Sequence, residues 1–202
     1  MADLFSKWTY ADIRDLITDY PMASIISAGV TDSADISVSE MPMLLDIDAD
    51  GLPVSLLGHF PLRNPHYAVL KEQPRAVFNF HGPNDYVSPA YAGKSDWAPT
   101  WNFATVRIVA DVYFDDALTD EALERVVAHM ERNQQEPWNL SALGARYEKL
   151  RSGVMGFRAQ IRSVSGRFKL GQDENDTVFE SILNQHSNDP LCQWMIRMRG
   201  RQ

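Results

Sequence analysis

Between Phe103 and Phe114 the chain alternates side-chain character residue by residue. Val106, Ile108, Ala110, Val112 and Phe114 are interleaved with Thr105, Arg107, Val109, Asp111 and Tyr113. Successive side chains of a strand point to opposite faces, so this period of two demands a strand with one face on a core. The other face must meet water or a partner. Met155 to Ser163 repeats the pattern, with Phe157, Ala159 and Ile161 inward and Arg158, Gln160 and Arg162 outward. Strands of this kind are stable only inside a larger sheet.

The remaining periodicity supplies that sheet and its helices. Ala23 to Ser27, Met41 to Ile47 and Arg75 to Phe80 read as strands, and Asp48-Ala49-Asp50-Gly51 is a hairpin turn into Pro53 to Gly58. Ala11, Ile13, Leu16 and Ile17 form an apolar helical stripe that Pro21 ends. Pro65 opens a short helix through Leu70, since its fixed φ suits a first helical position. Thr119 and Glu121 begin a helix carrying Leu123, Val126, Val127 and Met130. Further helices are expected over Leu140 to Leu150 and Asn175 to Asn184. Strands, then helices, then one more strand predict an α+β fold, an antiparallel barrel with peripheral helices. Residues 1–202 read as a single domain with a C-terminal helical extension from about residue 175.

Composition narrows the function classes. The 202 residues carry a formal net charge of −8, which argues against a broad electrostatic footprint for nucleic acid. Cys192 is the sole cysteine, so there is no internal disulfide and no multi-cysteine metal site. Met1 to Tyr10 does not read as a signal peptide, and no apolar run has membrane-spanning length, so a cytoplasmic protein is expected. The glycine-rich dinucleotide and P-loop signatures are missing, as are His-Glu-x-x-His and Gly-x-Ser-x-Gly.

Three segments dense in Pro, Gly, Asn and aromatics interrupt the strand-like sequence. They are Gly58-His59-Phe60-Pro61-Leu62-Arg63-Asn64-Pro65, Gly82-Pro83-Asn84-Asp85-Tyr86-Val87-Ser88-Pro89, and Pro99-Thr100-Trp101-Asn102. Each alone reads as a tight turn. Together they hold hydrogen-bonding groups, flat rings and embedded charge, the parts that hold a planar anionic cofactor. A cluster of His59, His66, His81 and Asp85 matches no known zinc spacing.

In order and spacing these segments, followed by GVMGFRAQIRSVSGRFKLGQDEND, resemble the PaiB-type family of FMN-binding negative transcriptional regulators. The resemblance implies a split β-barrel like that of flavin reductases and pyridoxamine-phosphate oxidases. It implies a homodimer with FMN at the subunit interface, acting as a regulator or a flavin-dependent oxidoreductase. The chain departs from the family pattern at Pro61-Leu62, Ala90-Tyr91 and Gly171-Gln172-Asp173. Those positions fall in the expected pocket.

For a flavin phosphate, the cations and hydroxyls within these motifs are Arg63, Lys169, Ser88 and Thr100. For the isoalloxazine ring they are Trp101, Asn102, Asn64 and Gln172. Lys169 has an alternative role as an ion-pair partner of Asp173 and Glu174. The resemblance also brings an alternative cofactor. Some members of the superfamily bind haem, and an offshoot, piperazate synthase, uses haem to form an N–N bond. His59 is then the axial donor, with His66 or His81 as weaker options. DNA is a partner by family resemblance, yet no basic recognition helix is visible. The one basic cluster is Arg197, Arg199 and Arg201, in what reads as a frayed tail.

Overall fold

The structure, a computed structural model, describes residues 3–29 and 35–200. Chain order is α1 (Tyr10–Asp19), β1 (Met22–Ala28), β2 (Ile36–Pro42), β3 (Leu44–Ile47), β4 (Pro53–Pro61), α2 (Pro65–Glu72) and β5 (Arg75–Val87). There follow α3 (Pro89–Ala92), β6 (Thr100–Phe114), α4 (Thr119–Glu131), α5 (Arg146–Arg151), β7 (Val154–Lys169), α6 (Asp176–Gln185) and α7 (Asp189–Arg199). The strands form one seven-stranded sheet in the order β2-β1-β5-β6-β7-β4-β3, with antiparallel pairing throughout. No helix among the described residues is long and apolar enough to cross a membrane.

The two edge strands reveal how the sheet is shaped. β2 and β3 lie at opposite ends of the strand order, yet Met43 alone separates them in sequence. The sheet must therefore curl until its edges approach, without a ladder closing them, which makes a split barrel. Met43 bridges the split: its N–H donates to the Pro21 carbonyl at 2.9 Å. Its sulfur lies 2.8 Å from where a Cβ on Gly58 would stand, so any larger residue there would displace the Met43 side chain. Met41 to Ile47 is thus not the single strand that its apolar run predicts. Met43 breaks it and carries the chain from one edge to the other.

Inside the barrel, Ile25, Phe78, Phe80, Val106, Ile108, Phe157 and Phe168 are buried, and α1 closes one end with Ile13, Leu16 and Ile17. Each such side chain contributes about 1.5–3 kcal/mol on full burial. Leu44, Leu57, Ala122 and Val126 make a smaller core beneath α4. α7 packs Leu191, Trp194, Met195 and Met198 onto the main core, with Trp194 stacked on Phe168 at 5.6 Å.

Three further expectations change. Leu140 to Leu150 is not one helix, because Gly144 takes φ 52° and divides a short 3-10 turn (Leu140–Leu143) from α5. The Gly82 and Thr100 segments are not loops. Cross-strand pairing carries β5 past a bulge between His81 and Asn84 to Val87, and β6 starts at Thr100. Finally, Arg197 and Arg199 are not a frayed tail: they end α7 and are bound to the body of the protein.

Candidate functional site

The sequence-derived site residues fall into two groups at opposite ends of the sheet. His59 pairs with Gly156 near the start of β7, whereas Lys169 ends that strand opposite Phe103. At a rise near 3.3 Å per residue, these ends are on the order of 40 Å apart along the strand. His59, Arg63 and Asn64 form the first group. Ser88, Thr100, Trp101, Asn102, Lys169 and Gln172 form the second.

In the first group β4 delivers the chain to α2 through a tight turn. Asn64 caps α2, accepting from the His66 N–H at 3.0 Å, while its amide donates to Ser39 Oγ at 3.0 Å. His66 is buried between Ser27 Oγ (2.8 Å) and Ser39 Oγ (3.0 Å), which ties α2 to β1 and β2. Asn64 and His66 are therefore occupied in building the turn. Arg63 is not. It is exposed, and makes no hydrogen bond or ion pair among the described residues. The positive end of the α2 dipole lies beside it.

His59 differs from both. It shares the face of β4 that carries Leu57 toward α4, and its Nδ1 is buried without any hydrogen-bond partner. Burial holds its pKa below the ordinary histidine value, which favours the neutral ring. An unpaired buried nitrogen costs about 1–3 kcal/mol. Neutral imidazole with a free nitrogen is also the form that ligates metals.

In the second group, Trp101 projects from the outer face of the sheet, 51% exposed, against Tyr86 at 45% exposed. Their rings meet edge-on at 6.2 Å, and the Trp101 indole N–H donates to Asn84 Oδ1 at 3.3 Å. Tyr86 thus buttresses the Trp101 ring from its edge and leaves that ring half exposed. Tyr86 was not singled out in the sequence because it reads as part of a turn. Lys169 donates to Thr100 Oγ1 at 2.6 Å and to the Trp101 carbonyl at 3.0 Å rather than pairing with Asp173 or Glu174.

Asn102 points inward, almost fully buried, with its amide on Met195 Sδ at 3.6 Å. Thr100, Asn102 and Lys169 line a cleft of about 280 Å³, with Trp97, Pro99, Glu174 and Ile182. Gln172 spans its own turn, accepting from the Leu170 N–H (2.7 Å) and donating to the Phe168 carbonyl (2.6 Å). Ser88 caps α3 by accepting from the Ala90 N–H at 3.3 Å.

Asp111, on the outer sheet face, lies between Arg75 and Arg162, whose hydrogen bonds lower its pKa, that of Arg75 most. Among the described residues no three His, Cys, Asp or Glu side chains come together to hold a metal ion. His81 pairs with Asn79 at 2.7 Å, and Asp85 accepts from Asn188 at 3.3 Å.

With this geometry in place, sequence comparison decides the family. Residues 2–163 match the family described as "Putative FMN-binding domain". The chain belongs to this family. Within it, the β4–α2 turn, the paired ends of β5 and β6, and His59 all lie inside the matched residues, whereas Lys169, Gln172, α6 and α7 lie beyond them. A curated relative, the protease synthase and sporulation protein PAI 2 of Bacillus subtilis, is 25% identical over 137 residues. That match covers 66% of this chain and 65% of the relative's length, just under two thirds.

Among solved structures, the FAD and heme binding protein from Mycobacterium smegmatis superposes with a TM-score of 0.61 at 12% identity. It covers 88% of this chain and 78% of that one. The flavocytochrome Anf3 from Azotobacter vinelandii gives 0.55 at 13% identity, covering 80% and 67%. At such identities the likeness establishes the fold, a split barrel.

Proposed function

We propose that this FMN-binding family member is a flavin protein whose cofactor is FMN and whose role is redox. Arg63 carries the reading. An exposed, uncompensated guanidinium beside a helix N-terminus suits a phosphate. Trp101, half exposed with Tyr86 edge-on beside it, offers a flat ring face for an isoalloxazine. A bound flavin supplies hydride or single-electron transfer. The chain's part is to hold the phosphate at Arg63, to stack the ring, and to limit water at its face.

One chain does not bring Arg63 and Trp101 together, because they belong to opposite ends of the sheet. A second copy of the chain answers this. Ile36 and Val38 stand 59% and 56% exposed on the edge strand. Pairing sets Val38 in line with Ile26, Val77 and Val109 across β2, β1, β5 and β6. An apolar stripe through four strands, with Trp101 further along the same outer face, is suited to a two-fold interface. The cofactor is then held between protomers, Arg63 from one and Trp101 from the other.

His59 favours a second reading, a haem protein on the same barrel. Its neutral, unpartnered imidazole is a suitable axial donor, and the two structural neighbours named above include a heme binding protein and a flavocytochrome. Transcriptional repression through DNA gains no support from the C-terminal arginines, since Arg197 and Arg199 are engaged within the chain.

A visible spectrum of the purified protein, titrated separately with FMN and with haemin, separates the readings. Saturable FMN uptake supports the first. A Soret band lost in His59→Ala supports the second. Neither signal removes both.

A further inference from the structure

We propose that the cleft between the start of β6 and the turn after β7 binds a free α-amino acid. This site is independent of the flavin reading. Its walls carry charges that the chain leaves uncompensated. Lys169 donates to the neutral oxygens of Thr100 and Trp101 and lies over the Phe5 ring at 6.0 Å, with no carboxylate among the described residues paired to it. In the same cleft, both oxygens of Glu174 accept from the neutral indole N–H of Trp97, at 3.1 Å each. Asp173 sits exposed at the rim without a partner among the described residues. One ammonium and two carboxylates thus line a single cleft without pairing with one another. A ligand carrying a carboxylate for Lys169 and an ammonium for Glu174 and Asp173 compensates all three.

The floor and walls narrow the ligand further. Asn102 is almost fully buried at the base, and its amide nitrogen contacts only the sulfur of Met195. Its carbonyl oxygen has no donor among the described residues, which leaves it as an acceptor for a ligand N–H. Trp97, Pro99 and Ile182 give an apolar wall. At about 280 Å³ the cleft lies just below the usual range for drug-sized ligands, so the side chain it admits is short.

The site is also held in shape before any ligand arrives. Gly171 takes φ 79°, which turns the chain at the end of β7 and brings Glu174 back over the cleft. Gln172 braces that turn from within. Arg199 donates from Nη1 to the carbonyls of Glu174 (2.7 Å) and Gln172 (3.2 Å), and from Nη2 to Asp176 at 2.5 Å. Its charge is spent on backbone oxygens and Asp176, so the Glu174 carboxylate stays available. Fixing the turn in this way reduces the ordering cost of binding.

The test is calorimetric titration of the full chain with L-norvaline and its two one-charge analogues, n-butylamine and pentanoate. Norvaline is expected to bind, and each analogue to bind at least about tenfold more weakly, a loss of 1.4 kcal/mol. Glu174→Gln keeps an acceptor for Trp97, and Lys169→Met keeps the aliphatic stem. Each is expected to weaken norvaline binding about tenfold while circular dichroism stays unchanged. Asp173→Asn, on the exposed rim, provides a variant without folding risk and is expected to weaken binding several-fold. No binding of norvaline, equal binding of an analogue, or unchanged norvaline affinity in folded Glu174→Gln and Asp173→Asn would each overturn the assignment.

Discussion

Arg197 Nε donates to Asp12 Oδ1 at 2.8 Å, which fastens the last helix of the chain to the first. Asp12 is fully buried and also completes the capping box of α1, accepting from the Thr9 N–H at 2.7 Å. One carboxylate therefore starts α1 and anchors α7. Arg197 reaches Asp15 as well, at 2.9 Å, and packs over the Trp194 ring at 4.7 Å.

Removing that arginine leaves a buried carboxylate with less compensation. Arg197→Ala is expected to lower stability by about 2–3 kcal/mol, below the usual cost of breaking a fully buried pair because the arginine is partly exposed. Asp15, whose pKa the hydrogen bonds from Arg14 and Arg197 hold down against the effect of burial, is expected to titrate closer to an ordinary carboxylate. Urea denaturation and carboxylate NMR titration check the two effects. A stability loss within 0.5 kcal/mol would show that α7 is held by its apolar face alone.

Gly156 lies where the start of α4 comes close against β7. A Cβ there would lie 2.5 Å from the Leu118 carbonyl carbon and the Thr119 nitrogen, both backbone atoms that cannot swing aside. The same Gly156 N–H donates to Thr119 Oγ1 at 2.9 Å. Gly156→Ala is expected to cost about 3 kcal/mol, at the upper end for overpacking, by pushing α4 off β7. Gly153→Ala, whose Cβ would meet nothing closer than 3.4 Å, is the control and should move the thermal midpoint little.

Where the sequence was legible, one residue type carried one signal. The alternation from Val106 to Phe114 reports which face is buried, and Pro65 opens α2 at the position that its fixed φ suits. The failures share a cause: tertiary pairing overrode local character. Asn84, Asp85 and Tyr86 are turn formers or polar, yet they pair with Phe103, Asn102 and Trp101 because a long neighbouring strand offers them a ladder. Met43 is apolar like its neighbours, and only closing the barrel shows that it must turn. The site divides similarly. His59 and Arg63 were visible as unusual residues in a turn motif. Trp97 and Glu174 form a cleft wall across 77 positions of sequence, which no local pattern encodes.

His59 makes a prediction about pH. Burial lowers its folded pKa, so the folded state resists protonation while the unfolded chain titrates near pH 6.5. Stability is complete above that pH and falls as pH drops from about 6.5 toward the lowered folded value. His59→Leu removes both the titration and the unpaired Nδ1. It is expected to raise stability at pH 7 by about 1 kcal/mol and to flatten the decline between pH 7 and pH 5. Guanidinium melts across that range test this. An unchanged slope would assign the acid sensitivity to His66 or His129, whose pKa values burial lowers in the same direction.

Arg63 and Trp101 give the sharpest test of the flavin reading, because each can be removed without touching the core. Arg63 is exposed and unpaired, so Arg63→Ala should leave the thermal midpoint of the cofactor-free protein unchanged. Its loss removes a charge-assisted contact to phosphate, for which about 1.5–3 kcal/mol, or roughly 10- to 100-fold in FMN affinity, is expected. Riboflavin, which lacks the phosphate, should bind the variant and the native chain alike. Trp101→Ala should behave in the opposite way, weakening FMN and riboflavin together because the ring has lost its platform. Mixing the two variants examines the interface as well. If Arg63 of one copy and Trp101 of another share a flavin, a heterodimer of the two single variants contains one intact site and one doubly damaged site. It should then recover half the FMN binding capacity at native affinity. If both residues served the same chain's site, every site in the mixture would remain damaged, and no native-affinity fraction would appear.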